Sequence, residues 1–265
     1  MTTLLGGGNQ AWTVRRRFYY EAEVRGTMPA RFGRTPVRSH ATPAHLSLAT
    51  PSAVSPMTDR LNAPTVCKLG GSLLDWSGLP GALAWIAQQW QGRPLVLVVG
   101  GGETADLVRR WDRLYGLGEE RAHWLALESL ALNESLVTEL WPALRLVRSR
   151  SQAEAALREG VPALVCSRCF VRWGETQPVA PLPHTWQVTT DSIAAWVAGI
   201  LKAGELVLAK SVDLPVGCDV ADAAAQGLVD AHFPQLAPEL PQISWVNLRH
   251  HSPVLISWQT GATAG

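Results

Sequence analysis

PLVLVVGGGE, residues 94–103, decides how the rest of the chain is read. Its apolar side chains run on without alternating with polar ones. A strand reads that way when both faces are buried, as in a parallel sheet covered by helices. The run stops on Gly100, Gly101 and Gly102, and residues 103–114 then place Leu107, Val108 and Trp111 on one helical face. Upstream, TVCKLGGS at 65–72 repeats the same junction, a short apolar strand ending on glycines, and a helix is predicted around 79–90. Downstream the pattern predicts helices at 119–140, 151–158, 190–203 and 220–226, with strands at 145–148, 163–166, 205–209 and 243–248 and an edge strand at 254–258. Strands alternating with helices predict an α/β fold with a mainly parallel central sheet covered on both faces.

The whole chain has 265 residues, 47% hydrophobic and 17% charged, enough for one large domain or two modest ones with a true core. No apolar run approaches the length of a membrane helix, and a formal charge of +1 gives no polyelectrolyte signature for nucleic acid. Four cysteines in a chain of this length do not make a disulfide framework, which reads as reduced thiols in a cytoplasm. Charge is unevenly placed. Residues 1–56 carry seven Arg against Glu21 and Glu23, show no sustained period, and end in the turn-rich HATPAHLSLATPSAVSP. They are read as a disordered basic tail, a transit peptide, or the product of a start placed too early, with translation beginning at Met57. The working division is therefore a tail at 1–60 and a folded domain at 61–265.

Two glycine-rich turns at the carboxyl ends of early strands occupy the place where open α/β sheets bind ligands, and helix starts there present backbone N–H groups to anions. Neither turn is a Walker or a dinucleotide motif, and a glycine pair after one strand is by itself an ordinary turn. Two further elements add weight. VTTDSIAAWVAG at 188–199 opens a helix with Thr189, Thr190 and Asp191, all natural N-cap residues, and ELVLAKSVD at 205–213 ends a strand with Lys210, then Ser211 and Asp213. Two strand-end lysines, Lys68 and Lys210, with a carboxylate between them suit phosphoryl transfer, which needs positioning and positive charge more than covalent help. The plainer reading of Asp191 is a helix cap and nothing else.

In order, KLGGSLL, VVGGG, TTDSIAAW and LAKSVD over about 64–249 resemble the amino acid kinase superfamily, which includes acetylglutamate, aspartate, uridylate and isopentenyl phosphate kinases. The resemblance implies a three-layer α/β/α sandwich using ATP with Mg2+. It also implies a small-molecule acceptor held by the N-terminal half, about 61–180, nucleotide held by 181–265, and assembly as a dimer or larger homo-oligomer. It implies that Lys68 and Lys210 contact the transferring phosphoryl and ATP phosphates, and that Asp191 organises them. Gly70, Gly71 and Ser72 would bind phosphate, Ser211 and Asp213 would lie by the nucleotide, and Gly100, Gly101 and Gly102 would cradle the acceptor. Leu214-Pro215 stands where the family has a glycine, a departure that bears on the nucleotide loop.

GGGETADLVR, RAHWLALESL and LPHTWQVTTDSIAAWVAG are similar to a small branch tied to one-carbon cofactors, the aminomethylfuran phosphate kinases of methanofuran biosynthesis, which turn a phosphate monoester into a diphosphate. In that branch Asp106, Arg109 and His123 would face the acceptor, and His184 with Trp186, just ahead of Asp191, would line its pocket. The molybdenum storage protein shares the scaffold, so a non-catalytic nucleotide-binding or storage role is the rival reading, as is another kinase of the superfamily. Cys166 and Cys169 have metal-like spacing without a second pair, so no metal site is expected. His123 and Trp124 otherwise read as core, the scattered tryptophans as core or interface, and His250-His251 as a solvated tail pair.

Overall fold

The computed structural model describes residues 63–258; the tail and the alternative start at Met57 lie outside the described residues. A seven-stranded sheet in the order β3-β4-β2-β1-β5-β6-β7 forms the middle layer, parallel except for antiparallel β7. Its strands are β1 (Thr65–Leu69), β2 (Leu95–Val99), β3 (Arg145–Val147), β4 (Ala163–Val165), β5 (Glu205–Lys210), β6 (Ile243–Asn247) and β7 (Ile256–Trp258). The helices are α1 (Leu79–Gln89), α2 (Gly102–Tyr115), α3 (Glu119–Leu140), α4 (Arg150–Arg158), α5 (Ser167–Gly174), α6 (Thr190–Leu201), α7 (Val220–Ala225) and α8 (Phe233–Leu236). The architecture is the expected three-layer α/β/α sandwich with a mainly parallel sheet. Element ends differ from expectation by a residue or two, as fraying ends do. Helices α5 and α8 are not among the elements the sequence predicts: α5 begins inside the Cys166–Cys169 spacing, and α8 spans only four residues.

Both central strands, β1 and β2, are buried at every position, the cause of their unbroken apolar runs. Alternate residues feed two cores. Val66, Val96, Val98, Leu206 and Leu208 pack with α6, whereas Cys67, Leu69, Leu97, Val99 and Val207 pack with α1. Lys68 and Lys210 share the parity of the α6 side. Helix α6 is buried at most of its positions, so it reads hydrophobic nearly all round.

The topology fixes where a ligand sits. From β1 the chain moves to β2 on one side, and from β5 to β6 on the other, so the β1/β5 boundary is the switch point whose carboxyl edge opens a crevice. Lys68 pairs with Leu208 across that boundary, which leaves Lys210 two residues farther toward the same edge. No helix among the described residues is long and apolar enough to cross a membrane.

Candidate active site

Three buried charges meet at the switch point. Lys68 Nζ lies 3.0 Å and Lys210 Nζ 2.8 Å from the same Asp191 oxygen, Oδ1. Residue exposure is 5% for Lys68, 5% for Asp191 and 9% for Lys210. Lys210 also donates to the Leu228 carbonyl at 2.7 Å, and its ammonium lies 5.5 Å from the centre of the Trp245 ring. Burial, followed by the Lys68 ammonium, pushes Lys210 down to about 8 against the pull of Asp191. Burial alone would raise the Asp191 carboxyl, but the two ammonium groups outweigh it and hold its pKa below the ordinary aspartate value. Two positive charges and one negative leave a net positive spot at the crevice, which suits an anionic ligand.

Asp191 is not the helix cap. It sits in the first turn of α6, and Thr189, the N-cap residue, makes no side-chain cap bond. Capping comes from Asp230, 41 residues away: its Oδ2 accepts from the backbone N–H and hydroxyl of Thr189 and from the Ser192 N–H, and its Oδ1 accepts from the Ser192 hydroxyl and the Phe233 N–H. Thr189 holds the N-cap position, but the acceptor for the Thr189 and Ser192 amides comes from Asp230, which corrects the expectation that a side chain of 189–191 does the capping.

The glycines of the two turns serve each other first. A Cβ on Gly71 would stand 2.2 Å from the Gly102 nitrogen, and one on Gly100 would stand 2.3 Å from the Gly71 nitrogen. Gly102 also adopts φ +51°, a left-handed conformation. The turns thus pack backbone against backbone. The Gly70 amide donates to the Ala209 carbonyl and the Gly100 amide to Leu69, so neither is left to a ligand. Asn133, buried in α3, clamps the second turn by donating to the carbonyls of Gly100 and Gly101 and to the Thr104 hydroxyl. Sequence reasoning missed Asn133 and Asp230. A polar residue on the apolar face marked by Leu127, Leu130 and Val137 was the available signal for Asn133; nothing local marks Asp230.

A cavity of about 470 Å³ opens between the two turns. Gly71, Ser72, Gly101, Gly102, Asp106, Arg109 and His123 line it together with Lys68, and Trp186 closes one side. Its floor is apolar, made by Leu127, Leu130, Val188 and Ile193. Arg109 pairs with Asp106 at 2.7 Å and lies over the Trp186 ring. His123 is buried, with no partner for Nε2, and burial followed by the neighbouring His184 charge pushes it down to about 4.

His184 stands behind this wall and not on it. It stacks on His123 and places its ring nitrogens 2.8 Å from Glu120 and 2.7 Å from Glu175. A second cleft, about 550 Å³, shares Lys68 and Arg109 with the first and adds Asp191, Lys210 and the segment 227–231.

Ser211 and Asp213 lie on the loop after β5. The Ser211 hydroxyl meets that of Ser72 at 2.7 Å, bridging the loops of β1 and β5. Asp213 accepts from Asn247, and its Oδ1 lies 2.7 Å from His250 Nε2, with His250 and His251 both exposed to solvent as expected. Among the described residues no group of three or more His, Cys, Asp or Glu side chains is arranged to hold a metal ion.

A model of the amino acid kinase family matches residues 63–214. The [5-(aminomethyl)furan-3-yl]methyl phosphate kinase of Methanocaldococcus jannaschii is 25% identical over 206 residues, 72% of this chain and 90% of that protein. Among solved structures, the UMP kinase of Ureaplasma parvum superposes with a TM-score of 0.53 at 14% identity, covering 74% of this chain and 99% of that one. An isopentenyl phosphate kinase gives 0.50 at 14% identity, covering 70% and 91%; both likenesses concern the fold. With the family match spanning more than half the chain, from β1 through the loop after β5, this protein belongs to the amino acid kinase family and is a phosphotransferase.

Proposed function

We propose that this enzyme transfers the γ-phosphoryl of ATP to the phosphate of a small phosphate monoester, with [5-(aminomethyl)furan-3-yl]methyl phosphate as the first candidate acceptor. The observation that carries the reading is the pair of buried ammonium groups on one carboxylate, at a crevice flanked by two clefts that share Lys68. In this reading the 470 Å³ cavity, built largely from 61–180, takes the acceptor, and 181–265 takes the nucleotide. An apolar floor suits a small ring, Arg109 and Lys68 suit a phosphate, and Asp75, Glu103 and Asp106 suit an ammonium group at the rim. The relative's printed substrate supplies the particular acceptor.

Lys68 and Lys210 bind the oxygens of the migrating phosphoryl, where charge develops, and Asp191 holds both in register. Lacking an acidic cage among the described residues, the site would take Mg2+ on the ATP phosphates, where it neutralises charge. In this reading Ser72 and Ser211, joined across the crevice, would meet the nucleotide phosphates, with Asp213 farther along the same loop as Ser211. Four free cysteines among the described residues support a reducing cytoplasm. The exposed stripe of Leu132, Leu136 and Leu140 on α3 supports a homo-oligomer.

The test incubates the full chain with Mg-ATP and this phosphate, and in parallel with UMP, isopentenyl phosphate, aspartate or acetylglutamate, reading ADP release and 31P NMR. A diphosphate product with the aminomethylfuran substrate is expected. Turnover only with carboxylates would overturn the monoester reading, and nucleotide binding without turnover would favour the storage reading.

Lys210 gives the site a pH dependence. Groups facing its ammonium are Lys68 from β1 and Asp191 from α6, with the neutral Trp245 ring from β6. Because the free enzyme binds this proton only below about 8, kcat/KM for ATP is expected to fall as pH rises through about 8, well before an ordinary lysine at 10.5 would titrate. Stability moves the other way. Between about 8 and 10.5 the unfolded chain holds a proton the folded chain has released, so this group adds stability as pH rises. Steady-state kinetics and melting curves across pH 6–10 read both; a flat kcat/KM to pH 10 would remove Lys210's charge from ATP capture.

A further inference from the structure

We propose that Asp230 is a positioning residue for phosphoryl transfer, setting Asp191 against the two lysines through its grip on the start of α6. The inference rests on the catalytic reading above and extends it to a residue outside the lysine–aspartate cluster. One carboxylate collects five donors: the N–H and hydroxyl of Thr189, the N–H and hydroxyl of Ser192, and the N–H of Phe233. Thr189 and Ser192 bracket Asp191 in sequence, so the backbone carrying the Asp191 side chain is held on both sides by one group. A helix start is otherwise the frayed part of a helix, with four N–H groups seeking partners.

The same segment reaches the other end of the cluster. Leu228, two residues before Asp230, offers its carbonyl to Lys210 Nζ at 2.7 Å, and Lys210 donates in turn to Asp191. A closed circuit results: segment 228–230 holds Lys210 by a main-chain oxygen and, by a carboxylate, holds Thr189 and Ser192 on either side of Asp191, while Asp191 joins Lys210 and Lys68. Asp230 also lines the cleft that contains Lys68, Asp191 and Lys210, so the tether stands at the reacting region and not in a remote turn. An N-cap with a merely structural duty needs one acceptor for one or two amides; a local Ser or Thr would suffice, and Thr189 is present but unused for it. Importing a carboxylate across 41 residues fixes α6 relative to segment 228–230, which a local cap cannot do. Small displacements of a positioned group are costly in rate, so this linkage bears on turnover.

The test is a double-mutant cycle with Asp230→Asn, Asp191→Asn and the two together. It reads kcat, KM and melting temperature with Mg-ATP and [5-(aminomethyl)furan-3-yl]methyl phosphate. Asparagine keeps the size but places an N–H₂ against donors that now meet a carboxylate oxygen. Asp230→Asn alone is expected to lower kcat about tenfold with both KM values little changed. In the Asp191→Asn background the same change is expected to cost little further kcat, because the group it positions is already disabled, while its effect on melting temperature persists.

Unchanged kcat in Asp230→Asn with impaired Asp191→Asn overturns this inference alone, as does a loss that multiplies fully onto Asp191→Asn. Full activity in Asp191→Asn overturns the catalytic reading itself, and this inference with it. Should Asp230→Asn not fold, Ser192→Ala removes one donor and leaves the carboxylate in place. A kcat loss confined to the Asp191 background supports the proposal; no loss, or an equal loss in Asp191→Asn, overturns it.

Discussion

Lys68→Ala and Lys210→Ala are each expected to lower kcat by on the order of 10²–10³, the scale of a lost transition-state donor. Each alanine removes an ammonium that lies within 3.0 Å of Asp191 at the carboxyl edge of a central strand. Folding survives either change, because Asp191 keeps the other lysine and is not left as an unpaired buried carboxylate. Arginine is expected to rescue poorly. Lys210 sits 9% exposed between Asp191, the Leu228 carbonyl and the Trp245 ring, and a planar fork needs a wider slot than a compact ammonium. Single-turnover and steady-state kinetics on the same preparations separate binding from chemistry. Wild-type kcat in either alanine variant removes that lysine from the mechanism.

Asp191→Asn is the second large effect, and here the structure changes what an N-cap argument would predict. As a cap, asparagine would substitute for aspartate almost silently. Capping belongs to Asp230, however, and among the described residues Asp191 is the sole anion touching the two buried ammonium groups. Neutralising it leaves two like charges facing each other away from water, a class of change that costs roughly 3–5 kcal/mol when nothing relaxes. Lys210 offers the relaxation, since it already titrates near 8 and can discard its proton. The expected outcome is a melting temperature several degrees lower and a kcat down tenfold or more, because the surviving ammonium is no longer held in register. The alkaline limb of kcat/KM should also move to lower pH, as the group that favoured the charged lysine is gone. Normal melting with full activity would leave the cluster without its centre.

Non-alternating strands at 65–69 and 95–99 were legible because complete burial leaves no polar face, and the helices between them because apolar residues recur at helical spacing. Lys68, Lys210 and Asp191 were legible as residues at strand ends and at a helix start. Their convergence on one oxygen was not. It depends on β5 inserting beside β1, on the even-numbered positions of both strands facing α6, and on α6 pointing its first turn at the crevice. Helix α5 is not legible in the sequence, because its eight residues carry too few turns for a period to show. In the sequence the glycines suggest room for a phosphate; the fold uses Gly71, Gly100 and Gly102 first to let two turns touch. A Cβ clash between chain segments 29 residues apart has no local signature.

The alternation of elements, the burial of the central strands and the identity of the charged residues at the ligand edge are all legible along the chain, since each follows from spacing within one stretch. Which of those residues meet depends on packing in three dimensions. His184 turned away to two glutamates, His250 joined Asp213, and Asp230 crossed 41 residues to hold the helix that carries Asp191. Strand order, side-chain parity and the packing of one loop on another set these pairings, because a hydrogen bond depends on distance in space and not on separation along the chain.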